Sequence, residues 1–293
     1  MLDLAMANRA ETFERLREPM ADRGISLVHT DPTERTLPLD ADAAPFGPGD
    51  ADVGFVYPGR ATEGDVLAAA LDVPWVNGRE AVLTSRNKAG VLARLDRADL
   101  PIPETVAVSN PADDEAVLAA ADRIGYPLVV KPNSTTRGIG VAKATDPDTL
   151  LGITDYLDLV HDYRATGDKA YLLQAYVSDA TDYRVMVVDG EYAGAVERRL
   201  PDDALAAGRW KHNVHRGAEA RGVDLDPDLR DLAERVAAEL AIPLLGVDLL
   251  VDGDGRAAVG ETNARPTVDA ATKYEPDFHD RLAALVEATA ARR

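Results

Sequence analysis

The segment Leu244–Val251 is apolar except for one acid, Asp248. A carboxylate buried without a partner is strongly unfavourable, so Asp248 needs company. Asp252–Gly253–Asp254–Gly255 reads as a hairpin turn leading into Arg256–Thr262. With the turn centred between Gly253 and Asp254, Asp248 stands opposite Val259. The two-residue period of a strand then puts Val259, Glu261 and Asn263 on the Asp248 face. Two carboxylates and an amide oxygen suit a hard divalent cation, Mg²⁺ or Mn²⁺. The alternative is an Asp248 paired with an arginine.

A second constellation is Pro127–Val141. A buried strand delivers Lys131 to its end, Ser134, Thr135 and Thr136 follow, and Gly138–Ile139–Gly140 precedes another extended run. Backbone N–H groups, hydroxyls and an ammonium are what phosphate oxygens require. It is not a Walker A loop, because no Gly-Lys-Ser/Thr opens a helix. The bland reading is a glycine-rich turn. The third is Gly208–Gly217, with Arg209, Lys211, His212, His215 and Arg216, preceded by Arg198–Arg199. These cations suit polyanionic ligands, or else pair with surface acids; His212 or His215 could supply a base. The five histidines offer no zinc spacing, and there is no Gly-x-Ser-x-Gly elbow.

The elements that must carry these groups follow from periodicity. Helix over 9–22, strand Ile25–Val28, a loop over 31–50, strand Val53–Tyr57, helix Thr62–Leu71 and extended Pro74–Val76 predict a parallel α/β lobe. Ser85–Ala98 reads as one helix with Ser85 as N-cap, and Pro101–Ile102–Pro103 as a linker. Strand Thr105–Val108, helix 111–124 capped by Asn110, strand Pro127–Lys131, strand Gly138–Lys143, helix 147–160 capped by Asp146, and strand Tyr171–Val177 follow. Asp189–Gly190 joins strand Tyr183–Val188 to Glu191–Leu200, and helices at 227–240 and 277–291 complete the chain. The expected class is α/β followed by α+β, with domains 1–100, 101–178 and 179–293.

In chain order the pieces resemble the ATP-grasp superfamily, and within it the RimK-like glutamate ligases that modify ribosomal protein S6. The resemblance rests on Ser85–Arg86–Asn87–Lys88, Val130–Lys131 with Gly138–Ile139–Gly140–Val141, and Gln174–Ala175–Tyr176–Val177. It continues through Asp182–Tyr183–Arg184, Glu197–Arg198–Arg199, Asn213–Val214–His215–Arg216–Gly217, Gly246–Val247–Asp248 and Glu261–Thr262–Asn263. It implies an ATP-grasp fold with an N-terminal α/β (pre-ATP-grasp) lobe, a central lobe and a C-terminal lobe, with ATP between the last two. Lys88 and Lys131 would hold the phosphates, with Lys211 in a matching motif, and Ser134, Thr135, Thr136 and Gly138 would close over them. Gln174, Ala175, Tyr176 and Val177 would frame the adenine, and Asp182 or Asp179 the ribose or substrate. Asp248, Glu261 and Asn263 would ligate Mg²⁺, and Arg199, Asn213 and Arg216 would face the γ-phosphate and acyl substrate.

The implied chemistry is ligation of an amino acid such as glutamate to a small-molecule or peptide carboxylate through an acyl phosphate, releasing ADP and phosphate. Rival readings are a ligase for another small acid, or a non-catalytic nucleotide-binding regulator. Two segments depart from the family. Gln174–Ala175 stands where Gln-Glu is usual, and Asn263–Ala264–Arg265–Pro266–Thr267 stands for Asn-x-Ser-Pro-Gly. The arginine leaves the choice of carboxylated substrate open.

Composition narrows the rest. The 293 residues are 46% hydrophobic and 28% charged, ordinary for a folded chain and long enough for two or three lobes. Without cysteine there are no disulfides, thiolate metal sites or cysteine nucleophiles. A net charge of −19 repels nucleic acid and anionic membranes. Acid-rich, lysine-poor composition, with only six lysines, resembles proteins of salt-accumulating halophiles. No apolar run reaches membrane-spanning length and Met1–Glu18 lacks signal-peptide character, so a cytoplasmic enzyme is expected, with homo-oligomerisation left open.

Overall fold

The computed structural model describes residues 1–7, 10–40, 46–47, 49–135, 138–161, 169–212 and 214–292. Its first sheet is parallel, in the order β2-β1-β3-β4. The strands are β1 (Leu2–Met6), β2 (Ile25–His29), β3 (Val53–Val56) and β4 (Trp75–Asn77), with crossover helices α1 (Ala10–Ala21) and α2 (Ala61–Leu71). Strand β1 escaped the sequence reading because it is a short run with no turn residues in front of it.

Where one helix was expected over 85–98 there are two, α3 (Arg79–Arg86) and α4 (Lys88–Arg97), broken at Asn87. Asn87, not Ser85, is the N-cap: its side chain accepts the Gly90 N–H at 3.0 Å. Ser85 is buried instead, and its Oγ accepts the Ala264 N–H at 2.9 Å. The break matters because it makes Lys88 the first residue of α4, where its ammonium donates to Asn133 O at 3.2 Å.

The second sheet is antiparallel, β5-β8-β6-β7, from β5 (Thr105–Ser109), β6 (Leu128–Pro132), β7 (Ala142–Ala144) and β8 (Ala170–Ala175). It carries α5 (Asp114–Ile124) and α6 (Pro147–His161). Helix α5 starts later than its Asn-Pro signal suggested, because Asp113 caps it by accepting the Ala116 N–H at 2.8 Å. Asp146 caps α6 as expected.

The third sheet is β11-β10-β9-β12-β13, wholly antiparallel. It comprises β9 (Thr181–Val188), β10 (Glu191–Arg199), β11 (Glu219–Val223), β12 (Leu244–Val251) and β13 (Ala257–Asn263), with α7 (Asp202–Ala206), α8 (Pro227–Leu240) and α9 (Phe278–Ala290). The β12–β13 register corrects the sequence expectation. Leu249 pairs with Val259, a bulge skips Gly260, and Asp248 faces Glu261. Val259 is therefore in the core, fully buried, and not on the Asp248 face. Gly246 opposite Asn263 keeps Glu261 and Asn263 on that face.

The first and third sheets share one continuous core, with Phe55, Val56, Val185 and Val247 among its residues. Buried Asn77 stitches them, its amide donating to Leu244 O at 2.6 Å and Ala264 O at 2.7 Å. The second sheet has a core of its own, around Val130, Tyr171 and Leu173. A cleft of about 1450 Å³ is lined from both bodies. Among the described residues no helix is long and apolar enough to cross a membrane.

Candidate active site

The floor of the cleft is a buried charge network that strand register dictates. Asp248 on β12 lies opposite Arg184 on β9, and Asp182 on β9 opposite Arg198 on β10. Arg184 donates to both Asp248 oxygens, each at 2.8 Å. Arg198 reaches Asp248 at 3.0 Å and donates its Nε to Asp182 at 3.0 Å. Burial tends to raise the Asp248 carboxyl, but two arginines outweigh it and hold the carboxyl at about 2. Asp182 pairs with Arg198, but burial and the nearby Asp248 charge raise it against the fields of Arg198 and His212. Burial also opposes the Arg198 charge, yet its two carboxylates outweigh that and raise it.

Above the floor stand Glu261 and two lysines. Lys88 is 7% exposed, with its Nζ 3.5 Å from Glu261 Oε1. It donates to the backbone carbonyls of Asn133 (3.2 Å) and Thr135. Asn133 in turn accepts the Ala89 N–H at 2.9 Å and donates to Asn87 at 3.1 Å, locking the α4 start to the end of β6. Lys131 donates to Gln174 Oε1, and the Gln174 amide donates to Thr105 Oγ1 at 2.9 Å. Burial lowers the Lys131 pKa, against the raising field of Glu261 and with that of Lys88.

Further out, Gln174, Ala175, Tyr176, Val177, Thr135, Gly138, Asp179 and Arg199 also line the cleft. Tyr176 and Trp210 meet edge to face at 5.7 Å, and Lys143 Nζ lies 4.5 Å from the Tyr176 ring centroid. Lys211 crosses from the third-sheet body to donate to Val141 O. Burial, then Arg216, lowers its pKa. Arg199 is exposed and paired with Asp202 at 3.0 Å. Arg216 is exposed and outside the cleft lining, and its carbonyl accepts from Arg209. Ser134 lines a separate depression with Asn133 and Lys169. Thr136 and Asn213 lie outside the described residues.

Asp248, Glu261 and Asn263 line the cleft from one face of the β12–β13 hairpin, and an oxygen-only donor set fits a hard divalent cation. Among the described residues no group of three His, Cys, Asp or Glu gathers as a metal cluster, since the third donor here is an amide. Both sequence readings of Asp248 thus meet: it is on the metal-type face and also arginine-paired.

Sequence reasoning passed over Arg184 and Lys143 as site groups, and it read Arg198 as a cation for a polyanionic ligand, whereas Arg198 is paired with Asp182 and Asp248. The apolar context of Asp248 demanded a cation, but naming Arg184 required knowing that β12 lies beside β9, distant in sequence. Arg86 and Arg265 also line the cleft. Burial lowers Arg265 to about 10, assisted by Arg86 and opposed by Asp31.

Residues 85–284 match the profile of the RimK-like ATP-grasp domain. The chain belongs to that family. ATP-grasp enzymes of this kind join a carboxylate to an amine with ATP. The chain is 30% identical over 218 residues to a probable alpha-L-glutamate ligase of Thioalkalivibrio sulfidiphilus, covering 73% of this chain and 67% of that protein. It is 30% identical over 201 residues to the ribosomal protein bS6–L-glutamate ligase of Escherichia coli O139:H28, covering 68% and 62%. The match thus spans under or about two thirds of these relatives' length. A RimK-domain ATP-grasp structure from Sphaerobacter thermophilus superposes with TM-score 0.69 at 24% identity, over 97% of this chain and 98% of that one. That likeness establishes the ATP-grasp fold.

Proposed function

We propose that the chain is an ATP-dependent carboxylate–amine ligase that joins an amino acid such as glutamate to a small-molecule or peptide carboxylate. The observation that carries this is the convergence of Lys88, Lys131 and Glu261 in one cleft between separately cored bodies. Buried ammonium groups beside an oxygen-donor face suit a metal-bound polyphosphate. Lys88 and Lys131 are assigned to the phosphates, with Thr135, Gly138 and Lys211 closing over them. Ala175–Val177 are assigned to the adenine side, and Asp248, Glu261 and Asn263 to the metal. Bound there, Mg²⁺ or Mn²⁺ would neutralise charge on the phosphates. The working division remains 1–100, 101–178 and 179–293, and the cytoplasm is the proposed location.

The reaction then follows from charge. A substrate carboxylate oxygen attacks the γ-phosphorus, the bond to ADP breaks, and an acyl phosphate forms. The amine, having lost its ammonium proton, attacks the acyl carbon, and phosphate leaves. Two anions must approach, so the enzyme's task is positioning and neutralisation. The cations Lys88, Lys131 and Lys211, all lining the cleft, support attack at the γ position. ADP and phosphate should appear in step with product, and hydroxylamine in place of the amine should yield a hydroxamate, assayed in strong salt to screen the acidic surface. Stoichiometric AMP would overturn the assignment.

A further inference from the structure

Two arginines in the cleft are treated differently from their neighbours. Arg86, the last residue of α3, donates to Gly59 O, and Arg265, just past β13, donates to Tyr57 O. Both thus grip one short loop between β3 and α2. Arg265 packs closely there: a Cβ on Gly59 would lie 3.7 Å from its Nε. Among the described residues neither guanidinium has a carboxylate within 4.0 Å. Asp31 acts on Arg265 only through its field. Arg60 and Arg79, flanking the same region, are both paired, with Glu63 at 3.3 Å and Asp65 at 3.0 Å. In a chain of net charge −19, acids are abundant. Two neighbouring, part-buried guanidiniums bonded to neutral carbonyls therefore leave positive charge uncompensated inside a cleft.

Their position says which anion. Arg86 precedes Lys88 by two residues, and Arg265 follows Asn263 by two, its N–H donating to Asn263 Oδ1 at 2.8 Å. The pair therefore adjoins the phosphate and metal groups but sits against the first-sheet body, whereas Ala175–Val177 lie on the second-sheet side. A planar guanidinium fork matches a carboxylate.

We infer that Arg86 and Arg265 form a subsite for a carboxylate of the acid substrate that does not react, making this enzyme selective for a dicarboxylate-type acid. This rests on the ligase reading and deepens it.

The test is calorimetric titration of the full chain, with Mg²⁺ and AMP-PNP, using succinate and glutarate against butyrate. The dicarboxylates should bind more tightly than butyrate. Arg265→Gln should weaken them about tenfold or more while leaving butyrate and AMP-PNP affinities unchanged. Arg265→Lys, which keeps the charge but not the fork, should fall between, and Arg86→Gln should resemble Arg265→Gln. Equal binding of mono- and dicarboxylates, or equal loss for both in Arg265→Gln, overturns the subsite. Loss of AMP-PNP affinity in Arg265→Gln would assign the arginine to the nucleotide phosphates instead and also overturns it. The two readings fail separately. Hydroxamate formation without dicarboxylate selectivity removes the subsite alone, whereas Arg265-dependent dicarboxylate binding without ADP release removes the ligase.

Discussion

The floor and the rim of the cleft use cations in opposite ways. On the floor, Arg184 and Arg198 are matched by Asp248 and Asp182, two charges against two, all in direct contact. On the rim, Arg86, Arg265, Lys131 and Lys211 donate to carbonyls or an amide, which carry no net charge. A neutralised network has its partners already and fixes strand order. Cations held by neutral dipoles are oriented but still attractive to an anion. The floor is scaffold; the rim is receptive.

The largest contrast should be in stability. Arg198→Met leaves Asp182 buried without its cation and should cost about 3–5 kcal/mol. Asp182→Asn with Arg198→Met should recover much of that loss. Arg265→Gln, which disturbs one carbonyl contact, should cost only about 1 kcal/mol. Comparable melting shifts for Arg198→Met and Arg265→Gln would erase the distinction between floor and rim.

Between the two regions stands Glu261. Glu261→Gln should lower turnover by about a hundredfold, roughly 2.7 kcal/mol in the barrier, because it withdraws charge from the metal face. Near-normal steady-state rates in the folded variant would remove Glu261 from the site. Next comes the nucleotide. Lys131→Ala should weaken AMP-PNP binding about thirtyfold, roughly 2 kcal/mol, whereas Lys169→Ala, outside the main cleft, should not. Equal effects in titration calorimetry would contradict the assignment of Lys131.

The smallest effect is at the mouth, where Asp269 meets Lys273 at 2.7 Å and Arg15 at 3.4 Å. Burial tends to raise the Asp269 carboxyl, but the Lys273 and Ala270 hydrogen bonds outweigh it and hold it below the usual range. Its folded pKa being depressed, its contribution is present above about pH 4 and fades as pH falls below that. Asp269→Asn should therefore cost under about 1 kcal/mol at neutral pH. The difference from the parent chain in denaturant unfolding should shrink towards pH 3. A gap that widens on acidification would show the sign to be wrong.

Much of this arrangement is legible in the sequence alone. Helix 227–240, the Asp189–Gly190 hairpin, and the alternation of helices and strands from α1 to β4 follow from period and turn chemistry, which are local. The need of Asp248 for a partner is equally legible, because an acid in an apolar strand must be compensated wherever the strand lies. The register beneath it is not. A bulge at Gly260 and a turn centred on Asp254 shift the pairing, and the two errors cancel for Glu261 and Asn263 while misplacing Val259. Ser85 looked like a cap because its side chain can serve as one. Only the packing of α3 on β13 reveals that its hydroxyl is already committed to the Ala264 N–H.

By itself, then, the sequence determined most of the elements, though not β1, β11, α7 or the break at Asn87, together with the acid that needed a partner, the lysine at a strand end and the family motifs in order. Each is set by interactions within a few residues, or by the cost of burying a lone charge. The tertiary structure alone decided which arginines neutralise Asp248 and Asp182, because that depends on β12 lying beside β9. It alone left Arg86 and Arg265 facing carbonyls instead of acids. Partners far apart along the chain meet only through sheet order and shared cores, and no local pattern encodes which charge will find which.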